Sequence, residues 1–151
     1  MHSLVRRYVK TAIVFLVVGL AVGGWMVVKR ELLGLYPSSY ESSAHTHAIL
    51  VGFVMMMILG VALWLFPRPD KSDVRYSPRV AEAAYWLLAV GTAVRVAAEL
   101  ARPMVYDGWL RWTVVVASFA QIAGLLVFFH TIWSRIRAVG SRVREERGER
   151  F

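Results

Sequence analysis

The sequence predicts an all-α integral membrane protein, a bundle of four transmembrane helices. Of its 151 residues, 58% are hydrophobic, and its mean hydropathy is +0.52. This apolar content lies above that of ordinary soluble domains. Four apolar stretches, separated by prolines and charged residues, are each long enough for the roughly 20 residues that a bilayer crossing requires. We expect helices at about residues 8–29, 44–66, 79–101 and 109–133, in a single membrane domain of residues 1–151.

The first two helices carry recognisable packing and start signals. The first apolar stretch is longer than the core of a signal peptide and no A-x-A cleavage site follows it, so we expect it to remain uncleaved. Gly19 and Gly23 form a small-xxx-small pair, which predicts close packing against another helix. Ser38 and Glu41 have the spacing of a capping box ahead of the second helix, which ends at Pro67.

The third and fourth helices are delimited by proline and glycine. Ser77 and Pro78 form a helix start, a capping residue followed by proline at the first helical position. The third helix is rich in alanine and ends before Pro103. Because small residues let helices approach each other in lipid, we expect it to be central in the bundle. Asp107 and Gly108 precede the fourth helix, which we expect from about residue 109.

Charge predicts the orientation. With the N-terminus inside, about 13 basic residues lie on the cytoplasmic side and about four outside, as the positive-inside rule requires. Both termini are then cytoplasmic, and residues 134–151 form a basic cytoplasmic tail. The net charge of +8 is placed to meet anionic lipid headgroups, so the predicted partner is the bilayer and no nucleic acid is expected. The predicted location is the cell (inner) membrane.

The chain contains no cysteine. This excludes disulfides, thiolate zinc and iron–sulfur sites, and the C-x-x-C-H attachment of c-type haem. Any metal or haem must be held by His, Met, Asp, Glu or Tyr.

His45 and His47 lie at the mouth of the second helix, where ionisable side chains indicate a site. On an α-helix, residues two apart point roughly 200° away from each other. The pair therefore cannot easily bind one metal, and we expect two sites, or one site and one structural partner. The alternative is that both are ordinary histidines bonded to loop backbone or water.

Helical projection gives each histidine its own face. The face of His45 carries two glycines that leave room for a neighbouring backbone or a flat macrocycle. The face of His47 is a bulky stripe that suits lipid or the edge of a haem. The residues sharing these faces are Ile49, Gly52, Met56 and Gly60 for His45, and Val54, Ile58, Val61 and Leu65 for His47.

Two other polar positions bear on this site. His130 lies about 21 residues into the fourth helix, which places it roughly 30 Å from the pair, near the other side of the membrane. Arg95 and Glu99 are an i, i+4 pair at the depth of the two histidines. They form either a structural ion pair or, through Arg95, a clamp for the propionates of a haem.

The second helix resembles that of a known family. The run from His45 through Phe53, with Gly60 and the closing Phe66-Pro67-Arg68, is similar to the second helix of the catalytic subunits of haem-copper oxidases. The similarity is greatest to C-type oxidases and nitric oxide reductases.

That resemblance implies that His45 ligates a low-spin haem. The paired histidines also resemble the family's tenth helix, where two histidines serve two different haems. The family's large subunit consists of three four-helix units, and this chain looks like one such unit. The resemblance therefore implies assembly, as a homo-oligomer such as a trimer or beside a larger respiratory subunit.

Three functions remain open. The first is a b-type haem-binding protein acting in respiratory electron transfer or nitric oxide metabolism within an oligomer, with His45 and His47 as axial ligands and Arg95 as a propionate partner. The second is a cofactor-free accessory subunit of a terminal oxidase or nitric oxide reductase. The third is a copper-handling protein using both histidines and methionines. No catalytic residue is predicted, and we do not expect one chain alone to be a complete oxidase or reductase.

Overall fold

In the computed structural model, residues 3–67, 77–105, 108–136 and 147–148 are described. Within these ranges helices are the only regular secondary structure, and four of them are long and apolar enough to cross a membrane, which confirms the predicted fold class. We call them spans 1 to 4: Ser3–Glu31, Ser39–Leu65, Pro78–Ala101 and Gly108–Arg135. Most of the predicted basic tail, including residues 137–146, lies outside the described residues.

The individual helices follow the spans closely. Span 1 is α1 (Ser3–Glu31) and span 3 is α4 (Pro78–Ala101). Span 2 contains α2 (Ser39–Thr46), a π-helical segment (His47–Met55) and α3 (Met56–Leu65). Span 4 contains α5 (Gly108–Ile132) and ends in a 3₁₀ turn (Trp133–Arg135).

Span 2 begins at Ser39 rather than near residue 44 because of its capping box. The Glu41 N–H donates to Ser38 Oγ at 3.2 Å, and the Ser38 N–H donates to Glu41 Oε2 at 2.7 Å. Lys29 Nζ also donates to both oxygens of the buried Glu41 carboxylate, each at 2.9 Å. The end of span 1 is thereby tied to the start of span 2.

The middle of span 2 differs from the regular α-helix that the sequence analysis assumed. The nine residues His47–Met55 are π-helical. Such segments are rare and occur frequently at functional sites. Along span 2 every fourth residue from α2 to α3 is buried: Ala44, Ala48, Gly52, Met56 and Gly60.

Span 3 is the most buried helix, as its small residues predicted. In its most apolar stretch 44% of the residues are buried, against 17%, 28% and 22% for spans 1, 2 and 4. Its contact with α5 is close because glycines lie in it. A Cβ on Gly124 would lie 2.8 Å from Leu88 Cγ, and one on Gly91 would lie 3.1 Å from the Ala117 carbonyl oxygen.

The end of the bundle away from the histidine pair has an aromatic core. The Tyr8 ring meets those of Tyr85 and Phe128 edge to face, with centroids 5.1 and 5.8 Å away. The hydroxyl groups of Thr11 and Tyr85 lie 2.8 Å apart. This core joins spans 1, 3 and 4.

Arg135 joins the ends of spans 2 and 4 at this same side. Its side chain is buried, at 5% exposed. Nε donates to the Pro67 carbonyl oxygen at 2.7 Å, and Nη2 donates to those of Leu63 and Phe66, both at 3.3 Å. The guanidinium therefore caps carbonyl groups that the end of a helix leaves without intrahelical partners.

Arg135→Ala should lower the free energy of unfolding by about 1–3 kcal/mol, because it leaves three partly buried carbonyl groups without a charged donor. The measurement is denaturant unfolding of the purified protein in detergent, followed by circular dichroism. Arg6→Ala, at an exposed arginine of α1, is the control and should change little. Equal stability of the two variants would contradict this role for Arg135.

Candidate site at the paired histidines

His45 faces span 1. Its Nδ1 lies 2.9 Å from the Gly19 carbonyl oxygen. A carbonyl oxygen only accepts hydrogen bonds, so Nδ1 carries the proton and Nε2 keeps its lone pair. A Cβ on Gly23 would lie 2.8 Å from His45 Cε1. The close approach predicted at Gly19 and Gly23 is therefore observed, and at Gly23 the neighbour is the imidazole itself.

His47 opens the π-helical segment and faces span 3. Its Nδ1 donates to the Ser43 carbonyl oxygen at 2.8 Å, and Ser43 Oγ lies 3.3 Å from the same nitrogen. Glu99 Oε2 lies 3.9 Å from Nδ1. Here too the proton is on Nδ1, and Nε2 keeps its lone pair.

The two imidazoles contact different neighbours, as helical geometry predicted. His45 bonds to α1, whereas His47 bonds back to α2 and approaches Glu99 of α4. Over the residues that the structure describes, no group of three or more His, Asp or Glu side chains could hold a metal ion. Neither Nε2 has a hydrogen-bond partner within those residues.

The glycine-containing face of His45 is occupied by α1. A Cβ on Gly52 would overlap the Phe15 side chain, and one on Gly60 would lie 2.9 Å from Tyr8 Cβ. Of the two occupants that the sequence left open, a neighbouring helix is therefore observed. The stripe predicted to share the face of His47 is exposed along its length, with Val54 and Val61 37%, Ile58 54% and Leu65 60% exposed.

Arg95 forms an ion pair with Glu99. Arg95 Nε donates to Glu99 Oε1 at 3.1 Å, and Ser43 Oγ donates to the same oxygen at 2.8 Å. On its other side, Arg95 Nη1 donates to Gln121 Oε1 at 3.3 Å, and Gln121 Nε2 donates to Thr92 Oγ1 at 2.9 Å. We call these five residues the polar cluster; it links spans 2, 3 and 4.

The polar cluster is largely buried. Glu99 is 3%, Gln121 4% and Thr92 0% exposed. The i, i+4 spacing in the sequence indicates the Arg95–Glu99 pair but not its partners. The signal for Ser43 was its position four residues before His47, one helical turn away. The signal for Gln121 was an amide within an otherwise apolar helix, because a buried amide requires partners.

His130 is not brought to this site. It is exposed, and it lies in span 4 just ahead of Arg135, which contacts the end of span 2 opposite the histidine pair. The two histidines and the Arg95–Glu99 pair meet at one end of the bundle, and His130 lies near the other.

Fold and site together define a multi-pass membrane protein that holds two histidines, each with its Nδ1 bonded to a main-chain carbonyl group, at one end of its bundle. Comparison with protein families matches residues 3–145 to cytochrome c and quinol oxidase polypeptide I. The chain belongs to this family, whose members typically bind haem and copper. The resemblance found in the second helix is thereby confirmed as a family relationship. Searches of curated proteins and of solved structures gave no significant match.

Proposed function

We propose that the protein is a b-type haem-binding subunit that acts in respiratory electron transfer or nitric oxide metabolism in the cell (inner) membrane. His45 and His47 are its axial ligands, and both termini face the cytoplasm. The observation that carries the proposal is the hydrogen bonding of the two imidazoles at Nδ1. Each donates its Nδ1–H to a main-chain carbonyl group.

This donor set fits haem. Histidines that bind metals almost always donate their other ring N–H to a carboxylate, a backbone carbonyl or water, which fixes the tautomer and the orientation of the ring. Haem, when bound, supplies reversible one-electron transfer at its iron. The residues of this chain supply the Nε2 lone pairs of two partly exposed imidazoles.

The proposal includes assembly. Because the imidazoles face different helices, each is half of a ligand pair, and the other half comes from a second copy of the chain or from a larger oxidase subunit. The exposed apolar side chains of Val54, Ile58, Val61 and Leu65 on span 2 offer a surface for contact with such a partner. Arg95, whose side chain is 19% exposed, is the proposed partner of a haem propionate.

The test is the absorption spectrum of the protein purified from haem-replete membranes. The wild type should show a Soret band, and His45→Ala combined with His47→Ala should abolish it. His130→Ala, at the opposite end of the bundle, is the matched control and should retain the band. A colourless wild-type protein would contradict haem binding.

A cofactor-free accessory subunit is the second candidate. The observation that favours it is the packing of α1 over the glycine-containing face of His45, which fills the room that a macrocycle beside that face would need. This candidate predicts a colourless chain that copurifies with a larger oxidase or nitric oxide reductase subunit. The same purification therefore separates the two functions.

A further inference from the structure

The two imidazoles differ in the polar groups that lie near Nδ1, on the side of the ring away from Nε2. Within the described residues, His45 Nδ1 has one polar neighbour, the neutral carbonyl group of Gly19 at 2.9 Å. His47 Nδ1 has three: the Ser43 carbonyl at 2.8 Å, the Ser43 hydroxyl at 3.3 Å and the Glu99 carboxylate at 3.9 Å. Among the described residues, His47 alone of the two therefore has a charged group near its Nδ1.

The Ser43 hydroxyl connects this carboxylate to the imidazole. Its proton is donated to Glu99 Oε1 at 2.8 Å, so its lone pairs remain to accept from the Nδ1–H of His47 at 3.3 Å. Donation therefore runs in one direction, from the imidazole N–H to the hydroxyl oxygen and from the hydroxyl group to the carboxylate. The same N–H also donates to the Ser43 carbonyl oxygen, and this is the shorter of its two hydrogen bonds.

The Glu99 carboxylate is held firmly in this place. Oε1 accepts from Arg95 as well as from Ser43, and Arg95 is held in turn by Gln121. The other oxygen, Oε2, is buried and has no hydrogen-bond partner within the described ranges. It is also the oxygen nearest to His47 Nδ1. A buried polar atom without a hydrogen-bond partner is costly, so its presence in a folded protein calls for an explanation.

We propose that Glu99, acting through Ser43, is the positioning residue of His47 and makes it the more electron-rich of the two histidine ligands. This rests on the proposed haem-binding function. A carboxylate behind a ligating imidazole raises its basicity and fixes its ring. His45, with a neutral carbonyl alone, is the weaker electron donor, so the two half-sites are unequal.

Ser43→Ala tests the connection, because it removes the hydroxyl but leaves the main-chain carbonyl and the Arg95–Glu99 ion pair. It should weaken haem affinity by about 10–100-fold, the usual effect of losing such an outer partner. Ser43→Thr restores a hydroxyl and should restore affinity. Ser42→Ala is the matched control, because the exposed Ser42 hydroxyl donates to the carbonyl group of Ser38, the N-cap residue of α2.

Glu99→Gln tests the charge. Glu99→Gln and Ser43→Ala should each raise the midpoint reduction potential of the bound haem, because a less electron-rich imidazole stabilises ferric iron less. In the haem-free protein, histidine-selective ¹⁵N NMR should show a shifted Nδ1 signal for His47 in both variants and an unchanged signal for His45. Circular dichroism of each variant checks that the helices are retained.

The outcomes separate the two proposals. A wild-type chain that binds no haem overturns the proposed function. A haem-binding chain in which Ser43→Ala matches Ser42→Ala in affinity, potential and ¹⁵N signal overturns the positioning role of Glu99 and leaves haem binding intact.

Discussion

Replacing Arg95 with leucine should destabilise the folded bundle by about 3–5 kcal/mol, the cost of leaving a buried charge without its partner. Glu99 is only 3% exposed, so water cannot solvate its carboxylate once the guanidinium is gone. Gln121 loses a donor to its Oε1 in the same variant. The measurement is denaturant unfolding of the purified protein in detergent.

Two further variants show whether the loss comes from the unpaired charge. Arg95→Leu combined with Glu99→Leu should recover most of the stability, because replacing a buried ion pair by apolar groups is often neutral or stabilising. Arg7→Leu removes one partner of the Arg7–Glu82 pair, whose side chains are about half exposed. It should cost less than about 1 kcal/mol. An Arg95→Leu variant as stable as Arg7→Leu would refute the role of Arg95 in balancing Glu99.

Gly23→Leu should displace the His45 imidazole. A Cβ at Gly23 would lie 2.8 Å from Cε1 of the ring and 3.1 Å from Nδ1, so the ring must move away from the Gly19 carbonyl group. We expect haem affinity to fall by about 10–100-fold through the lost outer bond, and stability to fall by about 1–3 kcal/mol through overpacking. Haem titration and unfolding measure the two effects separately.

Gly24→Leu is the matched control, one residue further along the same helix. A Cβ on Gly24 meets nothing within 4 Å, so the same side chain points into open space. This variant should retain both stability and haem affinity. If the two leucine variants lose haem equally, the effect of Gly23→Leu does not act through His45.

The parts of the fold that depend on local physics could be predicted from the sequence. Four apolar stretches of membrane length give the four spans, and the alanines of span 3 give its central position. The spacing of Ser38 and Glu41 indicated the capping box, and that of Arg95 and Glu99 placed both on one face of α4. Each of these features depends on residues a few positions apart, so their spacing in the sequence is enough to predict the contact.

The partners of the site depend on the packing of distant segments. Ser43 meets Glu99 across 56 positions of sequence, and Arg95 meets Gln121 across 26. Helix packing sets these contacts, and a single sequence carries no record of it. The room beside the glycines of span 2 was predicted correctly, but whether a helix or a macrocycle filled it depended on where α1 lies.

The π-helical segment keeps the buried residues of span 2, from Ala44 to Gly60, on one side of the helix. An α-helix turns about 100° per residue, so a stripe repeating every fourth residue drifts by about 40° at each step. Over the four steps from Ala44 to Gly60 that drift would carry the stripe almost to the opposite side of the helix. The wider turns of His47–Met55 rotate less per residue and cancel much of this drift. The segment thus keeps the small residues at both ends of span 2 on the side that faces α1, where His45 also lies.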